Sequence, residues 1–342
     1  MKKITLYFAL LSVIFACQEP TQVAPEATPS EYSPSKTDPA LDDLDSLVPL
    51  NDLGAGSYLG NIGGLYPGGA NNPPATYKTK YEYFCSTVQP LSSMGSYDPT
   101  SGKIGFVSIG ASTCKMFMDR FMELSNSYAG LNPKVKMANC AKGGIDILDM
   151  SDPALPTYTS YWNTVTENLT AKGLTYNQVQ IVYFESDDLH NTVSGFTERT
   201  TLVFNEMVTV LQLLKTKFPK LRLCYFNGRT TTEYLTDPTL IAKHGEPRAY
   251  YYGWAVKKLI EAQMTGVDYL NPYGGYANSP FLAWCFYDWT EGATPRTTDG
   301  FKWLSEDTTD GLHPSTLGKQ KVAERMLDYF KTNAYASTWF KE

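Results

Sequence analysis

The chain has 342 residues, 42% of them hydrophobic and 19% charged, with a formal net charge of −6. That length suits one large domain or two small ones, and the composition is that of a globular protein. The acidic balance and the lack of any basic stripe argue against nucleic acid as a partner. Aromatic residues reach 13%, with 24 tyrosines, a content that often marks surfaces that stack on ligands.

The N-terminus reads as an export signal. Lys2 and Lys3 precede an apolar run from Ile4 to Phe15 that is too short to remain as a membrane-spanning helix. Ile14-Phe15-Ala16-Cys17 resembles a bacterial lipobox, which implies a signal peptide over residues 1–17, cleavage ahead of Cys17 and lipidation of its thiol. An ordinary secretory signal with an accidental cysteine is the alternative, and either places the mature protein outside the cytoplasm, on the cell envelope if anchored. Residues 18–52 are rich in Pro, Thr, Ser and acidic side chains, too poor in apolar surface to offset the entropy of ordering, and are expected to form a disordered tether. The main domain is expected over residues 53–342. It opens with a Gly/Pro-rich stretch (53–76) that excludes regular structure and is expected to lie over the domain, near the rim of its site.

A regular alternation follows. Ile104–Ile109, Val135–Ala138, Gln178–Phe184 and Leu221–Phe226 are short apolar runs suited to buried parallel strands, with Val267–Leu270 as the fifth candidate. Helices are expected over Lys115–Leu124, Tyr158–Leu169, Thr201–Phe218, Tyr250–Met264 and Thr316–Lys331. Strand alternating with helix predicts a flavodoxin-like three-layer α/β/α fold, its mostly parallel sheet of about five strands presenting ligand-binding groups at the strands' carboxyl ends.

Those ends carry the chemistry. Ser112, in Gly110-Ala111-Ser112-Thr113, falls at the turn after the first strand, where it is either a plain helix cap or an exposed nucleophile. Gly143-Gly144 follows the second strand and can offer a backbone N–H to a developing oxyanion, although a simple turn is the commoner use. Glu185-Ser186-Asp187-Asp188-Leu189-His190 follows the third; its acids and histidine could ligate metal, but no further ligands accompany them and no metal site is expected. Arg229, just beyond the fourth strand, could contact an acidic substrate group. Near the C-terminus Asp310-Gly311-Leu312-His313-Pro314 precedes a helix. There the carboxylate can fix one imidazole tautomer and leave the other nitrogen to take a proton.

In this order the blocks resemble the SGNH (GDSL-type) hydrolases, from about Gly105 to the C-terminus. Ser112 stands at the family's nucleophile, Gly144 or Gly143 at its oxyanion glycine, Asp187 at the asparagine of the third block, and Asp310 and His313 at the Asp-x-x-His-Pro ending, which alone matches in full. The Gly-Gly-Leu-Tyr-Pro-Gly-Gly loop (63–69), the Ser-Ile-Gly-x-Ser block (108–112) and the Asp-Gly-x-His-Pro-Ser ending (310–315) also look like an exported bacterial subgroup. The resemblance implies a cofactor-free serine esterase working through an acyl-enzyme, with Ser112, His313 and Asp310 catalytic and the N–H groups of Ser112 and Gly144 in the oxyanion hole. Two departures stand out. Ala111 replaces the acid before the nucleophile, at little consequence. Asp187 replaces an amide that donates to the oxyanion, and an ionised carboxylate can only accept. Either Asp187 is protonated, or it points away, or the hole rests on the backbone N–H groups.

Between the last strand candidate and the closing helix lie Tyr273, Tyr276, Trp284, Tyr287, Trp289 and Trp303. Such aromatic density suits stacking on sugar rings, with Tyr287, Trp289 and the nearby His190 as candidate substrate contacts, or else core beneath a long loop. The substrate expectation is therefore an esterified small molecule or a decorated polysaccharide. The rival is a surface glycan-binding lipoprotein that keeps the fold without turnover; a lipid-acting esterase has no exposed amphipathic helix to support it. His244 reads as a solvated loop residue. The five cysteines beyond Cys17 match no zinc spacing and leave at least one thiol free; one or two disulfides are possible but cannot be paired from sequence.

Overall fold

The computed structural model describes residues 47–342. Its centre is a five-stranded parallel sheet: β1 (Ile104–Gly110), β2 (Val135–Asn139), β3 (Val179–Glu185), β4 (Leu223–Asn227) and β5 (Phe281–Phe286), in the order β2-β1-β3-β4-β5. All residues of β1, β3 and β4 are buried, as continuous apolar strands covered on both faces must be. Helices α1 (Ala75–Ser86), α2 (Ser112–Asn126) and α6 (Thr316–Thr332) cover one face, and α3 (Pro156–Ala171), α4 (Phe196–Lys217) and α5 (Arg248–Thr265) the other. This is the flavodoxin-like three-layer fold expected from the sequence.

Apolar spacing explains the layers. In α4, Val203, Met207, Val210, Leu211 and Leu214 recur every three to four residues and are all buried. Each contributes about 1.5–3 kcal/mol relative to exposure. The opposite face is aromatic: Phe106 of β1 meets Phe121, Phe330 and Trp339 edge-on at 5.2–5.8 Å. Tyr225 of β4 packs on Tyr81 of α1 and Phe330 of α6. Offset and edge-on pairs of this kind add stabilisation beyond the area they bury.

Four of the five strands lie where the sequence put them. The fifth does not: Asp268–Leu270 is a single 3₁₀ turn, and the last strand is Phe281–Phe286, inside the run read as aromatic loop. Helix α1 went unread because its buried side consists of Tyr77, Tyr81, Phe84 and Cys85 rather than aliphatic residues. The ordered chain also begins before residue 53. Leu47 and Leu50 are fully buried, and Leu50–Leu53 forms a helical turn, so the expected tether ends earlier than drawn. The signal peptide, Cys17 and most of the tether lie outside the described residues. The Gly/Pro-rich stretch is ordered, but it packs on α5 and β5. Trp284 Nε1 donates to the Leu65 carbonyl at 3.0 Å and Lys257 Nζ to that of Tyr66 at 3.4 Å. Cys85, Cys114, Cys140, Cys224 and Cys285 are all buried and free. Among the described residues no helix is long and apolar enough to cross a membrane.

Candidate active site

The order β2-β1-β3 places a topological switch between β1 and β3, so a crevice opens beyond their carboxyl ends. At the end of β1 the chain passes extremely close to β3: a Cβ on Gly110 would stand 2.1 Å from the Glu185 carbonyl, so only glycine fits. Two residues later Ser112 opens α2, its hydroxyl set among the unpaired N–H groups of a helix start. On the opposite wall Asp310, Gly311 and His313 form a tight loop. Gly311 (φ +85°) lies so close to the Tyr234 and Leu235 backbone that a Cβ would sit 2.4–2.5 Å from it. Just beyond, Ser315 caps α6 by accepting from the Gly318 N–H, which fixes the loop's exit.

These two walls meet. Ser112 Oγ and His313 Nε2 are 2.9 Å apart, and His313 Nδ1 is 2.8 Å from Asp310 Oδ2. The other Asp310 oxygen accepts the backbone N–H groups of Leu312 and His313 at 3.0 and 2.7 Å. Partial burial pushes the Asp310 carboxyl up, but the His313 ring and these N–H groups outweigh it and hold it below the usual carboxylate range. An ionised Asp310 keeps the proton on Nδ1 and leaves Nε2 as the acceptor facing the serine hydroxyl. Of the two glycines after β2, Gly143 lies against Ser112: a Cβ on it would stand 3.8 Å from Ser112 Cβ, while one on Gly144 would meet nothing within 4 Å.

The block after β3 is more heavily charged than the sequence suggested. Asp187, fully buried, is clasped by Arg199 Nη2 at 2.6 Å and by Arg229 Nη1 at 3.4 Å. Its charge is thereby offset by two guanidiniums rather than left to face a developing anion. Glu185 accepts from Thr113 Oγ1 at 2.5 Å and so ties the turn that carries Ser112 to β3. Burial raises the Glu185 carboxyl, opposed chiefly by Arg229. Arg199 and Arg248 also donate to the Asp188 and Asn191 carbonyls, which pins the whole block.

Several expectations need correction. Tyr287 and Trp289 are buried core residues and not exposed stacking platforms. Tyr287 packs on Gly228 and Gly253, and Trp289 Nε1 donates to Glu246 at 3.0 Å. Trp284 and Trp303 are likewise core, whereas Tyr273 and Tyr276 are exposed before β5, at the sheet's amino edge and away from Ser112. His190 pairs through Nδ1 with Asp146 Oδ2 at 2.7 Å, which raises its imidazole, and so belongs to a separate cluster. Ligand atoms of Asp146, Asp149 and His190 lie within 4.8 Å of one another. Every carboxylate oxygen there already accepts an N–H or O–H, from Leu148, Asp149, Leu189, His190, Asp146 and Thr157. That is the chemistry of a capping box around Ile147–Ser151, not of an open ligand set. His244 is no solvated loop residue. Its Nδ1 is buried without a partner, and burial, then Arg229, push its imidazole down to about 4. His313 also contributes to that shift. Sequence reading also missed Arg199 and Arg248, whose one signal was their position in the first turns of helices that follow the acidic block and the fourth strand.

Fold and site together define a flavodoxin-like domain bearing a Ser–His–Asp constellation at the switch point of its sheet. No family model and no curated protein matches the sequence. Solved structures similar to it include the following three. One is described as a GDSL-like lipase from Parabacteroides merdae, 11% identical over 66% of this chain and 95% of that one, TM-score 0.37. Another is described as an SGNH hydrolase from Slackia heliotrinireducens, 14% identical over 67% of this chain and 100% of that one, TM-score 0.33. A third is a family two carbohydrate esterase from Clostridium thermocellum in complex with cellohexaose, 12% identical over 69% and 65%, TM-score 0.36.

Proposed function

We propose that the protein is a serine ester hydrolase that works through an acyl-enzyme. The observation that carries this is the unbroken relay from Ser112 Oγ through the His313 ring to Asp310, at 2.9 and 2.8 Å, between residues 201 positions apart in the chain. His313 takes the Ser112 proton as the hydroxyl attacks an ester carbonyl, then returns it to the departing alcohol; water releases the acid by the same relay in reverse. Backbone N–H groups of Ser112 and of the Gly143-Gly144 turn stabilise the tetrahedral oxyanion.

We extend the reading to an acylated carbohydrate as substrate and to an exported, lipid-anchored enzyme. The first rests on the charged groups that meet beyond β3 and β4, Asp187, Arg199 and Arg229, the second on Lys2, Lys3, the apolar run and Cys17. The test is Ser112→Ala assayed on acetyl and short-chain esters beside labelling by an active-site serine phosphonate. The parent should hydrolyse and label at Ser112, and the variant should lose about 10⁵–10⁶ in kcat. A variant as active as the parent refutes the mechanism. A parent that neither turns over nor labels leaves the non-catalytic glycan-binding reading.

A further inference from the structure

We infer that Arg229, held in place by Asp187, supplies the oxyanion donor that an amide at position 187 would otherwise give; the inference rests on the hydrolase reading above. Asp187 stands two residues beyond β3 and Arg229 two residues beyond β4, with β3 lying between β1, which leads to Ser112, and β4. The Asp187 carbonyl accepts from Ile147 N at 3.1 Å, and Ala111 N donates to the Glu185 carbonyl at 3.2 Å. The block therefore bridges the nucleophile's turn and the Gly143-Gly144 loop. A lone carboxylate there would repel a developing oxyanion. This one is instead turned into an anchor: Arg199 and the Asp188 N–H engage Oδ1, and Arg229 engages Oδ2 at 3.4 Å.

Arg229 differs from Arg199 in one respect. Arg199 is fully buried and spends its Nη donors on Asp187 and on the Asp188 and Asn191 carbonyls. Among the described residues Arg229 has the Asp187 pair as its only polar contact, and its side chain is 11% exposed. A guanidinium has five N–H groups. Beyond the Asp187 pair no described acceptor takes the rest of those on Arg229, and a largely buried donor without a partner makes an incoming acceptor valuable. The reach of its charge agrees: it opposes the rise of Glu185, which binds Thr113, and helps depress His244, which also senses His313. Arg229 thus lies within electrostatic reach of Glu185, which holds the turn that carries Ser112.

In the step itself a bond forms between Ser112 Oγ and the carbonyl carbon, the hydroxyl proton passes to His313 Nε2, and the carbonyl π pair moves onto oxygen. That anion would accept from the Ser112 and Gly143-Gly144 N–H groups and from Arg229. Collapse restores the carbonyl and expels the alcohol, which takes the proton from His313. A cationic donor compensates for the missing amide, and the Asp187 pairing keeps the guanidinium from swinging to solvent.

The test is a cycle of Arg229→Met and Asp187→Asn on a neutral acetyl ester, so that recognition of an acidic substrate cannot contribute. Arg229→Met should lower kcat by about 10²–10³ with little change in KM. In the Asp187→Asn background, where an amide again offers an N–H, the same change should cost less than about tenfold. Arg229→Lys, which keeps the charge, should lose less than Arg229→Met, and thermal unfolding checks that each variant is folded. Parental kcat in Arg229→Met, a loss confined to KM, or equal losses in both backgrounds overturns the inference while Ser112 labelling leaves the hydrolase reading standing. A parent with neither turnover nor a Ser112 adduct removes both.

Discussion

The acidic block behind the site makes a quantitative stability prediction at Glu206. This residue of α4 is buried, and its Oε2 has no hydrogen-bond partner among the described residues. Burial, then the neighbouring Asp188, raises its carboxyl from 4.5 to about 9. Between those values the folded protein holds a proton that the unfolded chain has released. Stability from this group is therefore fully present below about pH 4.5 and is lost as pH rises toward 9. At 1.36 kcal/mol per pH unit, the 2.5 units between 4.5 and pH 7 amount to about 3 kcal/mol. Glu206→Gln keeps the shape and has no proton to lose. It should stabilise the protein by about 3 kcal/mol at pH 7 and by less than 1 kcal/mol at pH 5. Urea unfolding followed by tryptophan fluorescence at both pH values measures the difference. An equal gain at the two pH values, or a loss at both, refutes the assignment of a protonated Glu206.

Two more predictions concern the catalytic loop. Gly311→Ala places a methyl 2.4–2.5 Å from the Tyr234 and Leu235 backbone at φ +85°. The loop must shift, and a displacement near 1 Å should lower kcat about 10²-fold while destabilising the fold by at least about 1 kcal/mol, read by ester turnover and urea melts. Asp310→Asn reverses the hydrogen-bond preference at His313 Nδ1. It should lower kcat by roughly 10²–10⁴, the lower figure applying because this carboxyl is partly open to water; turnover within twofold of the parent would deny Asp310 its orienting role.

The sequence disclosed the site more fully than the fold's far edge, for physical reasons. Ser112, the Gly143-Gly144 turn, Asp310 and His313 are read from local requirements: a sharp strand exit, a close backbone approach, a loop pinned ahead of a helix. Those requirements are written in consecutive residues. The β5 strand is Phe-Leu-Ala-Trp-Cys-Phe, and its aromatic character comes from packing under α1, itself built on tyrosines, so neither partner showed an aliphatic period. The partners of Asp187 were illegible for another reason. Arg199 and Arg229 reach it only after α4 and β4 have packed, and no spacing along the chain announces that meeting. His244 sits in Ala-Lys-His-Gly-Glu, polar by every local measure, yet the Thr232 hydroxyl holds its carbonyl at 2.8 Å and turns it inward.

The five cysteines of the folded domain bear on how this protein can reach and keep its native form. All are sequestered and unpaired, and burial pushes Cys85 and Cys140 up to about 12 and raises the other three well above the ordinary thiol value. Thiolates are the reactive species in exchange and alkylation. Maturation of the domain therefore asks nothing of an oxidising catalyst, and its native state should be indifferent to dithiothreitol. Modification by a disulfide reagent would instead register each excursion of the core to solvent, giving the molecule five built-in reporters of its own opening.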